Sequence, residues 1–185
     1  MELEVKSDLR HEYIDGAIVP MTGGTPEHNK IAGNLFFALM LALKGKPYDI
    51  FIADQRLWIP ERSLYTYPDV LVTQRPLVLQ TGRNDTVMNP CLIAEVLSKS
   101  TQSYDRGEKF AAYRTMPSFQ EYLLVDQYSV HVEHYRKTEP NQWLFSEHND
   151  LNQMLQLLVI DVSIALADLY DGVLPNATLP DLSNA

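Results

Sequence analysis

Two apolar runs in this chain each carry one acid where a charge is hardest to accommodate. They are Tyr67-Pro68-Asp69-Val70-Leu71-Val72 and Pro90-Cys91-Leu92-Ile93-Ala94-Glu95-Val96-Leu97. Runs this rich in Val, Ile and Leu read as buried strands. A carboxylate at the edge of such a strand is costly to desolvate unless it is paired, protonated or bound to a cation. Two of them together point to a site for a hard metal ion.

With 185 residues, 45% of them hydrophobic and 21% charged, the chain fits one ordinary globular domain with a sizeable core. The expected extent is residues 1–173, followed by a loosely held tail at 174–185 containing Pro and Asn. No apolar run approaches the roughly 20 residues of a bilayer span, and residues 1–10 are charged, unlike a secretory signal. A cytoplasmic location without membrane attachment is the expectation. The lone cysteine, Cys91, sits inside an apolar run and reads as a buried, inert thiol. A formal net charge of −9 opposes long-range attraction to a polyanion. Three short basic groups soften that objection: Lys44/Lys46, Arg56/Arg62 and Arg106/Lys109/Arg114.

The order of elements follows from local signals. Asp15-Gly16 between two extended runs is a strong hairpin signal, so the chain is expected to begin with a β-hairpin. Thr25 can cap a helix with Pro26 at its first position, and Ile31, Leu35, Leu39 and Leu43 recur every four residues up to Gly45. Residues 48–59 read as one strand ending at Pro60, followed by the strands holding Val70 and Leu92. The hydroxyl-rich segment 98–103 offers caps for a second helix over 104–115, stopped before Pro117. Strands are expected over 120–126, 130–136 and 142–146. Alternating element types then give an α/β (α+β) architecture, a mixed central sheet flanked by helices.

That order, with Pro68-Asp69, Glu95-Val96-Leu97-Ser98, Asp105-Arg106-Gly107-Glu108-Lys109-Phe110 and Tyr113, resembles the PD-(D/E)XK nuclease superfamily. More closely, the chain is similar to the Uma family of restriction-endonuclease-like proteins, from Glu12-Tyr13-Ile14-Asp15-Gly16 through Glu27-His28 to Ala167-Asp168-Leu169-Tyr170. The resemblance implies a restriction-endonuclease-like core in which Asp69, Glu95 and the backbone carbonyl of Val96 hold Mg²⁺, with Mn²⁺ as a substitute. Magnesium suits such a set, because it takes one or two carboxylates and keeps waters and substrate phosphate as its other ligands. The implied activity is hydrolysis of phosphodiester bonds, with DNA as the expected partner.

The sequence departs from the superfamily pattern at Leu97, two residues after Glu95, where a lysine is usual. The family resemblance supplies Lys109 as the substitute, although Asp105 and Lys109 at i, i+4 could equally form a helix-surface ion pair. His28 is placed by the resemblance near metal or phosphate, while Glu27 and Glu12 match motif positions without a derived role. Ser98 and Asp105 could orient the site or serve as local caps. Asp69 could instead be a turn residue after proline, and Glu95 could be buried against a cation such as Arg56. His131 and His134 lie three apart on an expected strand and so face opposite ways, which argues against shared zinc ligation. No nucleotide-binding Gly-rich loop and no Gly-X-Ser-X-Gly elbow is present. The competing reading is a nuclease-fold binding or assembly module without turnover, for which Leu97 and the acidic charge argue. A regulatory or toxin-like element with a basic protein partner is a third reading, and a homodimer would suit cleavage of two strands.

Overall fold

The computed structural model describes residues 11–14, 17–20 and 23–173. At its centre is a six-stranded mixed sheet in the order β11-β10-β9-β8-β6-β3. These strands are β3 (Tyr48–Ile52), β6 (Val70–Gln74), β8 (Pro90–Leu97), β9 (Glu121–Asp126), β10 (Val132–Glu139) and β11 (Gln142–His148). All neighbours are antiparallel except β8 and β9, which are parallel and pair Glu95 with Leu124. A parallel pair needs a crossover, and a helical segment at 102–113 supplies it.

The eight residues of β8 are buried without exception, and the strand divides them between two cores. Leu92, Ala94 and Val96 face helix α1 (Pro26–Ala42), which buries Ile31, Leu35 and Leu39 against the sheet. Ile93 and Leu97 face the opposite side, among Leu57, Leu71, Tyr113, Phe119 and Leu124. Full cover on both sides is the condition under which an almost continuous apolar strand is stable. Leu97 is part of that second core, so a cationic side chain there would have to be desolvated among hydrocarbon.

Thr25 caps α1 as expected: its side chain accepts a hydrogen bond from the His28 amide, and Pro26 follows. The expected N-terminal hairpin is present as β1 (His11–Ile14) and β2 (Ala17–Pro20), with Ile14 opposite Ala17. The Asp15-Gly16 turn and the tail at 174–185 lie outside the described residues. The hairpin joins a second sheet, in the order β2-β1-β5-β4-β7. Its further strands are β4 (Arg56–Ile59), β5 (Leu64–Thr66) and β7 (Thr86–Val87).

One expectation is corrected. Residues 48–59 are not one strand but β3 and β4, which belong to different sheets and are separated at Ala53, where φ is +53°. A left-handed backbone at a non-glycine residue breaks strand geometry, and no local signal in the sequence marks it. The segment 151–169, to which local signals assign no element above, forms the hairpin β12 (Met154–Leu157) and β13 (Val162–Ala165) and the short helix at Leu166–Leu169. Leu155 and Leu157 alternate with exposed Met154 and Gln156, a period-two pattern that the sequence does contain.

Candidate active site

The two acids of the apolar runs meet because β6 begins one residue after Asp69, next to the end of β8. Pairing of the two strands runs through Val70 opposite Ala94 and stops there, leaving the Val96 amide without a strand partner on that side. The Asp69 carboxylate takes its place: Oδ2 accepts from the Val96 amide at 2.8 Å. In return, Glu95 Oε2 accepts from the Asp69 amide at 3.3 Å. Each acid therefore holds the other's strand, which fixes both carboxylates where β6 begins and β8 ends.

Glu95 is 2% exposed. Its Oε1 accepts from Tyr113 Oη at 2.7 Å and from Lys109 Nζ at 3.2 Å. Both donors come from the crossover helix, which is α-helical at Gln102–Tyr104, a π-turn at Asp105–Lys109, and α-helical again at Phe110–Tyr113. Short π-turns of this kind recur at functional sites. Lys109 Nζ also lies 3.2 Å from Asp105 Oδ1. The i, i+4 pair that sequence could read as a surface ion pair is thus real but buried, and it shares its lysine with Glu95. Arg56 has no part in this: it binds Tyr67 Oη and Asp85 instead.

His28 reaches the cluster from the first turn of α1, with Nε2 3.2 Å from Asp69 Oδ2. Gly24 leaves room for it, since a Cβ there would stand 2.8 Å from His28 Nδ1. The helix is tied to the carboxylate strand by Gln127, which is buried. Its Nε2 donates to the Leu97 carbonyl and its Oε1 accepts from Thr25 Oγ1, both at 2.6 Å. Asp69, Glu95, Lys109 and His28 are therefore brought together, with Asp105 beside them. Glu27 is exposed on α1, and Ser98 bonds to Thr101 and Ser100 as a local cap. The side chain of Glu12 is outside the described residues. His131 and His134 separate as strand geometry requires, His131 toward Glu147 and His134 toward Glu121. Gln127 and Gly24 are singled out by tertiary contacts alone, and Tyr113, a motif residue without a role in the sequence, gains one from its bond to Glu95.

Among the described residues, the charge pattern of the cluster is lopsided: three carboxyls, Asp69, Glu95 and Asp105, stand with one lysine and one histidine. Burial raises the Glu95 carboxyl to about 8, opposed by Lys109 and reinforced by Asp69 and Asp105. Asp105 is also raised, by burial first, against the pull of Lys109. For His28, burial acts to lower the pKa, but the hydrogen bond to Asp69 and the surrounding carboxylates raise it overall. Among the described residues, no three His, Cys, Asp or Glu side chains form a ready-made ligand cluster. The oxygens are instead clasped by amides, Tyr113 and Lys109. As a donor set, two carboxylates fit a hard cation, and the surplus of negative charge is what such an ion would offset.

The family profile of Uma2, described as "Putative restriction endonuclease", matches residues 1–167. The chain belongs to the Uma2 family. Two Synechocystis proteins are similar to this Uma2 chain. "Uncharacterized protein sll1609" is 42% identical over 147 residues, covering 80% of this chain and 83% of that protein. "Uncharacterized protein slr1290" is 36% identical over 175 residues, covering 94% and 90%. A crystal structure of "a putative nuclease belonging to DUF820" from Anabaena variabilis superposes with a TM-score of 0.71 at 17% identity, over 89% of this chain and 91% of that one. At that identity the likeness establishes the fold. Among the described residues no helix is long and apolar enough to cross a membrane.

Proposed function

We propose that this Uma2 protein is a divalent-metal-dependent endonuclease that hydrolyses phosphodiester bonds in DNA, with Asp69, Glu95 and the Val96 carbonyl as the metal ligands. The observation that carries the reading is the convergence, where β6 begins and β8 ends, of Asp69 and Glu95, bonded through each other's strands, with Asp105 and Glu95 sharing the buried Lys109. Mg²⁺ or Mn²⁺ held there would supply Lewis-acid polarisation of the phosphodiester and a more acidic bound water. The chain's own groups do the rest. Lys109 stands beside Glu95 on the crossover helix, placed to orient the attacking water and to stabilise charge on the phosphoryl oxygens. Tyr113 holds Glu95 in its rotamer. His28 presents Nε2 from the other side, 3.2 Å from Asp69, where a ring N–H would be suited to a phosphate oxygen.

The test joins binding to turnover. Calorimetric titration of Mg²⁺ and Mn²⁺ should show binding that is lost in a folded Asp69→Asn/Glu95→Gln variant, and wild type should nick supercoiled DNA only with the metal present. Metal binding without cleavage of any DNA or RNA tried would favour the second reading, a binding module without turnover. The observation on its side is that both Glu95 oxygens already have protein donors.

A further inference from the structure

The opposite side of the crossover helix carries a second feature. Lys109 and Tyr113 point toward Glu95, whereas Arg114, at the helix end, lines a separate cavity of about 440 Å³ with Glu61, Arg62, Lys137, Asn141 and Trp143. Three cations and one carboxylate thus share one concavity in a chain whose net charge is −9. None of the three cations has a carboxylate within ion-pair distance among the described residues, in contrast to Arg56, Arg75, Arg83, Arg106 and Lys109.

The cations are held by the fold in different ways. Arg62 ends the 3₁₀ turn Pro60–Arg62, just before Ser63, where φ is +46°. Lys137 sits where the β10–β11 pairing slips by one residue, a bulge that re-aims side chains. The Arg114 guanidinium lies over the Phe110 ring at 4.8 Å, and Phe110 in turn meets the edge of Trp143 at 5.2 Å. An arginine stacked on an aromatic ring is partly ordered before any ligand arrives, and its donor fork suits phosphate.

We propose that this cavity binds the phosphate backbone of the nucleic acid on which the site at Asp69 and Glu95 acts, with Arg62, Arg114 and Lys137 as the phosphate contacts and Trp143 as an aromatic wall. The proposal rests on the phosphodiesterase reading for the identity of the ligand. Arg114 lies five positions beyond Lys109, about 7.5 Å of helical rise, and the two side chains leave the helix on different sides. A strand reaching both would be gripped away from the reacting phosphate, where contacts position the substrate without reading its sequence. It also resolves the objection raised by the acidic composition: the attraction is local rather than global.

The experiment separates this cavity from the catalytic cluster. A short fluorescein-labelled DNA, single-stranded and duplex, is titrated by anisotropy at several salt concentrations with Glu95→Gln protein, in which turnover is blocked. The same cavity substitutions are placed in wild type and assayed on bis(p-nitrophenyl) phosphate with Mn²⁺, a substrate too small to span the two regions. Arg62→Gln/Lys137→Gln is expected to weaken DNA binding about ten-fold or more and to lower the salt slope by about one for each phosphate left unneutralised. Hydrolysis of the small substrate should be unchanged. Arg114→Gln, which leaves the other two cations in place, provides a second, independent variant. Unchanged affinity and salt slope in both variants would overturn the proposal, as would absence of DNA binding by the parent protein. Loss of DNA binding in a protein that cannot hydrolyse the small ester would support the cavity and count against the catalytic reading instead.

Discussion

Replacing Glu95 with Gln should make the metal-free protein more stable, and increasingly so as pH rises. The folded protein holds this carboxyl near 8, against 4.5 for an ordinary glutamate, because burial and the neighbouring Asp69 and Asp105 outweigh Lys109. Between those values the folded state binds a proton that the unfolded chain has released, so stability falls as pH increases through the window. A rise of that size has a ceiling of about 5 kcal/mol. The amide must place its NH₂ group either toward the Asp69 amide or toward Lys109 and Tyr113, which takes back about 1–2 kcal/mol. Lys109 is not stranded, since Asp105 remains 3.2 Å away. The net gain at pH 8 therefore has a ceiling of about 3–4 kcal/mol, which corresponds to about 8–10 °C for a chain of this length. Thermal melts of both proteins in chelator, at steps from pH 5 to pH 8.5, measure it: the difference should be small at pH 5 and grow toward pH 8. A variant that is less stable at every pH, or a difference independent of pH, would mean that Glu95 is an ionised structural partner of Lys109 and would refute the reasoning. A carboxylate that destabilises its own fold is a signature of a functional site.

Other expectations follow from neighbouring contacts. Gly24→Ala should push the His28 ring away from Asp69 without altering any charge, returning the raised His28 pKa toward 6.5 in an NMR titration and lowering nuclease activity. His28 adds stability that is present below pH 6.5 and lost as pH rises through its higher folded value, so His28→Ala should flatten part of the wild-type decline in melting temperature across that window. Leu97→Lys should not rescue Lys109→Ala; it should lower stability by about 3 kcal/mol or more in denaturant titrations, because Leu97 belongs to the core beneath the crossover helix. Cys91, pushed up to about 12 by burial, should react with a thiol reagent only on unfolding, which a colorimetric assay with and without denaturant reports.

The run around Glu95 contained its own requirement: eight positions, apolar but for one acid, dictate a buried strand and an acid that must find a partner. The Thr25-Pro26 start of α1 and the Asp15-Gly16 signal between β1 and β2 were likewise local, because capping and hairpin formation depend on adjacent residues. The split at Ala53 was not, since a left-handed residue without glycine is imposed by the two sheets that β3 and β4 join. Which acid meets which cation was also open. Sequence allowed Glu95 to pair with Arg56 or Lys109, and Lys109 to pair with Asp105 alone. The tertiary structure decided it by sending Arg56 to Asp85 and by turning a π-helical segment so that Lys109 serves Asp105 and Glu95 at once. Residue types and their spacing determined that this chain must bury carboxylates. Only the meeting of β6, β8, α1 and the crossover helix, brought together from sequence positions up to 81 residues apart between His28 and Lys109, determined their surroundings, and it is those surroundings that set their charge.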